Sequence, residues 1–597
     1  MTTTSAGATP DTEVVARAPG RLIGAWAVVA VVLVAVAGAY AWARWPGALP
    51  LGSDNDEYQL VGRALAAFEA PVVAGVEGTK YPLGYPAVLA VLEWLQLPVA
   101  PAALALNLVA VAVTVGLVAW LVGRPWGPLP ASPGAGLAAG AVVATSVSVW
   151  NDAYSVMPEL LTLAVVAGML AVVAGGLPPR RLLALTVLAV AAVALKTLAL
   201  LLVLGGCTLL AVRAALLEHR TGWGSGQGPL ATGSGREAGG GQHEVTVPLH
   251  RGWEPGKWGA LAPAAAALVV AVAGMLAMRP YPDHTTGYVA TFRLRDPFDA
   301  SLGELGIGGL ARRTIADVPE TLADLGRAIA WIDAPTTWAG VVAVLGLTLG
   351  IAGALRLRRG GPLGVFVAGA VLAYVVGLSA WPYHSSRFGI PLVPVAALGA
   401  GWVVREASDR WSRGGRSMDE GVAPPGPGSP GAGLPGAGLP GAGSAGAGSA
   451  GVGSPGAVGI GTGLALGGVV LVALLVTSWT AVVDRGEAAA ERLAGQHAAM
   501  AILEGWAEVE LGEDDRLVSF DYREVARALD RTVWPLAYTT GAEDLWAMVA
   551  AADADYLVMV DFHHARNRQL GLLLDAWPER FQRVLDGDGV GVWRVEA

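Results

Sequence analysis

The chain has 597 residues, 54% hydrophobic and only 15% charged, with a mean hydropathy of +0.53 and a formal net charge of −9. A water-soluble protein carries about 25% charged residues, so an ordinary soluble domain is excluded. The single cysteine, Cys207, sits inside an apolar run, which excludes a disulfide framework and reads as a core thiol.

The apolar residues come in blocks of roughly 15–25, the length a helix needs to cross about 30 Å of hydrocarbon. Only helices and closed barrels satisfy their backbone in lipid, and the short alternating segments of a barrel are missing. After a polar stretch over 1–21, the first run covers 22–43; it is too long, and lacks a small-residue cleavage site, to be a removed signal peptide. Further runs cover 101–122, 135–150, 157–176, 182–196, 198–212, 258–278, 337–355, 362–380, 390–404 and 458–482, making eleven expected spans. Tyr85 to Leu97 is apolar but short and interrupted by Pro86 and Glu93. It is read as a helix lying at the outer surface or partly re-entrant.

Lys and Arg in short loops mark the cytoplasmic side. With the N-terminus inside and eleven spans, Arg124, Arg180 and Arg181, Arg213 to Lys257, Arg356 to Arg359, and Arg405 to Arg416 all fall inside. The C-terminus then falls outside, in a multi-pass protein of the cell membrane. The Gly-, Pro-, Ser- and Ala-rich stretches 221–242 and 417–457 bury too little apolar area to offset chain entropy, and read as disordered cytoplasmic linkers. The expected organisation is an N-terminal tail (1–21) and a membrane core (22–404). The core carries outer loops at 44–100 and 279–336 and a cytoplasmic loop at 215–257. A linker (405–457), a last span (458–482) and a tail (483–597) follow. In the tail, short apolar runs alternate with helix-like stretches, which predicts a small α/β domain outside the membrane.

The chemistry lies in the outer loops. The first opens with Ser53-Asp54-Asn55-Asp56-Glu57-Tyr58 and continues to Thr79-Lys80-Tyr81-Pro82-Leu83-Gly84-Tyr85-Pro86. Three carboxylates within four residues repel one another unless solvated or partnered; the plain alternative is a hydrated helix start. Trp150-Asn151-Asp152-Ala153-Tyr154 precedes Met157-Pro158-Glu159 at the next outer end, and Lys196 is the only charge between Arg181 and Arg213. A charge in so apolar a stretch is a functional candidate, with snorkelling to the headgroups as the plain alternative. Tyr383-His384-Ser385-Ser386-Arg387-Phe388-Gly389 precedes the tenth run. His284, His384, His563 and His564 show no metal-ligand spacing.

In order and sidedness these segments resemble the GT-C superfamily of membrane glycosyltransferases, in particular the branch of protein O-mannosyltransferases and the lipid A aminoarabinose transferase. The resemblance covers most of 20–405. It implies an α-helical polytopic membrane protein of about eleven transmembrane helices, GT-C-like, with a small extracytoplasmic α/β C-terminal domain. It also implies transfer of a sugar from a polyprenyl-phosphate donor to a protein, lipid or cell-envelope glycan acceptor. The attacking group must lose a proton, so a carboxylate serves as general base. Asp54 is the first candidate and Asp56 the second, since Asn55 stands where the family has its second acid. Lys80, Lys196 and Arg387 would stabilise the leaving lipid phosphate. Glu57, Tyr58, Tyr85 and His384 belong to the substrate-binding set, and Asp152 and Glu159 would hold sugar hydroxyls or a divalent ion, the one cofactor the resemblance leaves room for. No nucleic-acid partner is expected. Two other readings compete. A transporter or flippase for lipid-linked glycans calls for midplane charges and repeated halves, which are not seen in the sequence. A glycan polymerase or ligase would share the outer arginines without needing the first-loop acids.

Overall fold

The computed structural model describes residues 19–45, 53–70, 72–73, 76–77, 79, 81–126, 129–222, 257–277, 292–296, 299–330, 336–357, 361–419, 455–536, 542–560 and 564–596. Lys80, His284 and His563, the side chain of His564, and nearly all of both linkers lie outside them.

Each of the eleven apolar runs falls on helical chain. Among the described residues, eight helices are singly long and apolar enough to cross a membrane: Leu22–Arg44, Val99–Gly123, Ala199–His219, Trp258–Leu276, Thr337–Leu357, Pro362–Ala380, Ser386–Trp411 and Ile460–Glu510. A bent pair, Pro133–Ala144 and Val147–Ala153, makes a ninth. It turns by 54° at Ser146, whose hydroxyl caps the second helix at Val149 N–H (3.3 Å) and donates to the carbonyl of Ala328 (2.9 Å). Trp150 Nε1 donates to the carbonyl of Ala144 across the bend (2.7 Å). The runs at 157–176 and 182–196 fold as Glu159–Ala174 and Pro179–Leu195, of 16 and 17 residues, short of the roughly 20 that a perpendicular span needs.

The run expected to end at 212 continues as Ala199–Gly222, 24 residues. Only its partner before Lys196 is short, and Lys196 itself sits in extended backbone between the two helices. Tyr85 to Leu97 forms the 11-residue helix Gly84–Trp94. A Cβ on Gly84 would lie 2.4 Å from the carbonyl oxygen of Ala194, so glycine is what lets the first loop press against the chain just before Lys196.

The last apolar run departs most from expectation. It extends without a break as Pro455–Glu510, 56 residues and about 84 Å long. Residues 483–510 are rich in Ala and Glu, strong helix formers, so the helix outlasts its apolar part. Its far half presents Ala499, Met500, Leu503 and Trp506, all buried, to the C-terminal sheet. That sheet has five strands in the order 533–535, 517–519, 556–560, 590–595, 581–587. The first three are parallel, and the C-terminal hairpin adds antiparallel.

The bundle has a basic end. Arg405 donates to the carbonyls of Val122 (3.0 Å), Arg124 (3.1 Å) and Pro130, and Arg124 is held between Trp120 and Trp126 at 4.4 and 4.2 Å. On the same helix Val99–Gly123, Asn107 lies about 24 Å earlier and donates to the carbonyl of Ser155 (2.7 Å). The segment with Asp152 and Glu159 thus marks the opposite end.

Candidate active site

Four distant stretches meet at that opposite end. Asp54 stands in the first turn of the helix Ser53–Ala66, where a carboxylate is favoured by the helix dipole. Arg387 Nη1 lies 3.0 Å from Asp54 Oδ2, and the hydroxyl of Tyr81 donates to Asp54 Oδ1. The Tyr81 hydroxyl is driven well above its ordinary pKa by burial and by the carboxylates of Asp54 and Glu57, so it stays protonated as a donor. Tyr58 stacks on Tyr81 (4.6 Å between centroids) and meets Tyr85 edge-on (5.2 Å), packing the apolar side of the acid.

The second pair is Lys196 and Glu159, Nζ to Oε1 2.7 Å, with exposures of 11% and 5%. Glu159 opens the helix Glu159–Ala174, and the break after Leu195 delivers Lys196 to it. The two cations flank one ring: Lys196 Nζ lies 5.0 Å and Arg387 Cζ 5.3 Å from the centroid of Phe388. Arg387 also reaches Met157 Sδ at 3.6 Å. Asn55 Oδ1 accepts from the backbone N–H of Val156 (2.6 Å), tying the first-loop helix to the Asp152–Glu159 segment. Asp152 lies within the fields of Glu159, Arg387, Lys196 and Arg44. Among the described residues no group of three or more His, Cys, Asp or Glu is arranged to hold a metal ion. With Glu159 Oε1 held by Lys196, these residues are not arranged as a metal-ligand set.

Asp54, Tyr58, Tyr85, Asp152, Glu159, Lys196 and Arg387 therefore share one neighbourhood. His384 turns elsewhere: its Nε2 is 3.6 Å from Asp317 and its Nδ1 3.9 Å from Asp324, both on the helix Ile307–Ala330, ion pairs only when the imidazole is protonated. Asp56 and Glu57 turn toward the C-terminal domain. Asp56 Oδ1 lies 2.6 Å from Arg527 Nε, and Glu57 Oε2 lies 3.0 Å from Arg523 Nε; these are ion pairs by charge and distance rather than aligned hydrogen bonds.

Sequence reading missed Arg44, Tyr81 and Phe388. Arg44 is buried at the end of the first span and donates to Asn151 Oδ1 (3.0 Å). Its signal was an arginine closing the first apolar run at the end expected to lie outside, against the positive-inside trend.

The fold defines a class: a polytopic helical membrane protein with a small sheet domain at its C-terminal end. No protein-family model matches the chain, and no curated protein does. Among solved structures it is similar to ArnT from Cupriavidus metallidurans bound to undecaprenyl phosphate, with TM-score 0.51 and 13% identity over 94% of this chain and 97% of that one. The apo form of the same ArnT gives TM-score 0.51 and 12% identity over 96% and 98%. At such identity the likeness is one of fold. A looser similarity, TM-score 0.47 at 10% identity over 96% of this chain and 74% of that one, links it to the Archaeoglobus fulgidus oligosaccharyltransferase.

Proposed function

We propose that this protein is a glycosyltransferase that moves a sugar from a polyprenyl-phosphate donor to an acceptor at the outer face of the membrane. The N-terminus is inside and the C-terminal domain outside in this reading. The observation that carries it is the meeting of Asp54, Arg387, Lys196 and Glu159 from four separate helix ends at the end of the bundle away from the basic loops. The whole-chain fold likeness to ArnT, solved with undecaprenyl phosphate, supports the same donor class.

In the proposed reaction the acceptor oxygen or nitrogen attacks the anomeric carbon from the face opposite the phosphate, and its proton passes to the carboxylate of Asp54. The bond from carbon to phosphate oxygen breaks with its electrons, so negative charge grows on the lipid phosphate as it leaves, with inversion at the anomeric carbon. Arg387 and Lys196 are the cations that meet this charge, strongly so near a low-dielectric surface, with Lys80 as a third. Each of the two described cations already holds a carboxylate. A donor phosphate competes for them and draws Arg387 away from Asp54, opening that carboxylate to the acceptor's proton. The base is thereby released when donor is present.

The test is sugar release from radiolabelled polyprenyl-phosphate sugars by purified protein, comparing wild type with Asp54→Asn and Lys80→Ala. Turnover of one donor that collapses in both folded variants supports the assignment. Turnover untouched by Asp54→Asn refutes base catalysis there.

A further inference from the structure

The helix Ser53–Ala66 carries acids on more than one face. At about 100° per residue, Asp56 lies about 200° around the axis from Asp54. Asp54 faces Arg387 in the membrane core. Asp56 faces Arg527, and Glu57, a sixth of a turn from Asp54 in projection, faces Arg523. Both arginines belong to Tyr522–Leu529, a short helix of the C-terminal domain. The carboxylates of Asp56 and Glu57 are 0% exposed, closed to a diffusing acceptor.

An apolar seam runs beside these pairs. Val61, fully buried, joins one cluster with Trp506, Tyr522, Val525 and Ala526 of the tail. The first-loop helix thus shares a core with the C-terminal domain. A second route links Arg523 to the base, while Arg527 acts on the helix directly through Asp56. Glu57, held by Arg523, accepts from Thr79 Oγ1 at 3.4 Å; Thr79 Oγ1 accepts from the backbone N–H of Tyr81 at 3.1 Å; and Tyr81 donates to Asp54. Thr79 and Tyr81 are fastened to the tail through Glu57.

We propose that the C-terminal domain is a clamp on the helix Ser53–Ala66, with Asp56 and Glu57 as its sockets and Arg523 and Arg527 as positioning residues that set the place of Asp54. The positioning half rests on the glycosyltransferase reading above; the clamp does not. A carboxylate displaced by an ångström from the attacking atom loses much of its rate advantage, so an intact clamp shows in kcat more than in donor binding.

The experiment pairs two readouts on full-length protein in lipid nanodiscs. Backbone hydrogen exchange across 53–66 reports the clamp without any substrate, and donor turnover reports positioning. In Arg527→Ala, exchange across 53–66 rises at least tenfold while that of 101–122 holds; Arg527→Lys recovers most of the protection. The same Ala variant loses about tenfold or more in kcat with the donor KM within about twofold. Unchanged exchange in the folded Ala variant overturns the clamp. Faster exchange with unchanged kcat overturns positioning. Because Arg527→Ala takes the arginine away from a buried acid and can misfold, the swap Asp56→Arg with Arg527→Asp is measured beside both single variants. Protection recovered in the swap supports the pair, and a folded swap no better than either single variant overturns it. Wild-type protein that turns over no donor overturns the glycosyl-transfer reading and positioning with it, while exchange still decides the clamp.

Discussion

Two clusters of acid and arginine sit two to three residues apart on the helix Ser53–Ala66, built from the same residue types and different in wetness. In the Asp54–Arg387 pair the side chains are 17% and 34% exposed, whereas Asp56 and Glu57 are 0% exposed and their partners Arg527 and Arg523 are 22% and 7% exposed, so the sealing is on the acid side. A part-open pair can be broken by an incoming anion at modest cost. A sealed pair cannot, because separating it strands a charge in low dielectric. Chemistry is therefore expected at the open cluster and architecture at the sealed one. The difference also separates acids that a reading by composition treats alike.

The predictions sharpen that contrast, from the largest effect to the smallest. Asp54→Asn should lower kcat by about 10²–10⁴, the range for loss of a general base, with little change in donor KM. Arg387→Ala should lower kcat by about 10²–10³, as for loss of one transition-state charge partner, and raise the donor KM as well; steady-state kinetics in detergent separate the two. Arg527→Ala should destabilise docking of the C-terminal domain by about 3–5 kcal/mol, the cost of stranding one partner of a buried pair, read as an earlier urea midpoint for the tryptophan fluorescence of that domain.

Glu524 gives a pH-dependent effect. It is buried beside the sealed cluster, and burial together with the neighbouring Asp56 raises its carboxyl from an ordinary 4.5 to about 7, against the attraction of Arg523. The folded form therefore holds a proton that the unfolded form releases, so stability is full below about pH 4.5 and is lost as pH rises through about 7. Glu524→Gln should remove that dependence. It should leave the urea midpoint unchanged at pH 4.5 and raise stability by up to about 3 kcal/mol at pH 8. Smallest of all, Arg63→Ala at the rim should leave the midpoint where it is. Its partner Asp530 is 3.6 Å away and the two side chains are 51% and 92% exposed, where ion pairs contribute little.

Much of the fold was legible because lipid imposes a length and a polarity that local sequence must satisfy. The eleven apolar runs fall on helical chain, and three strands of the tail sheet, 517–519, 556–560 and 590–595, fall on its short apolar runs, while 533–535 and 581–587 went unread. Continuity was less legible. The apolar signal fades after 482, but helix propensity does not, so Pro455–Glu510 runs on as one rod. At the site, Lys196 could be singled out as a lone charge in an apolar stretch and Arg387 as a basic residue before an apolar helix. The pairing of Asp56 and Glu57 with Arg527 and Arg523 could not, since the partners lie more than 460 residues apart in sequence. A short amphipathic helix with arginines four residues apart, Arg523 and Arg527 on one face, is an ordinary solvated pattern until its partner is known. Tyr81 was passed over for the same reason, because only the folded first loop brings its hydroxyl to Asp54.

The most direct test of the account sets the two acids side by side. Sugar release from one radiolabelled polyprenyl-phosphate donor would be measured for wild type, Asp54→Asn and Asp56→Asn, each normalised to folded protein by size exclusion. The account predicts that Asp54→Asn abolishes nearly all turnover, while the folded fraction of Asp56→Asn keeps a kcat at least tenfold above it and loses stability instead. Turnover that survives in Asp54→Asn and vanishes in well-folded Asp56→Asn would contradict it, placing the base in the sealed cluster and the architecture in the open one.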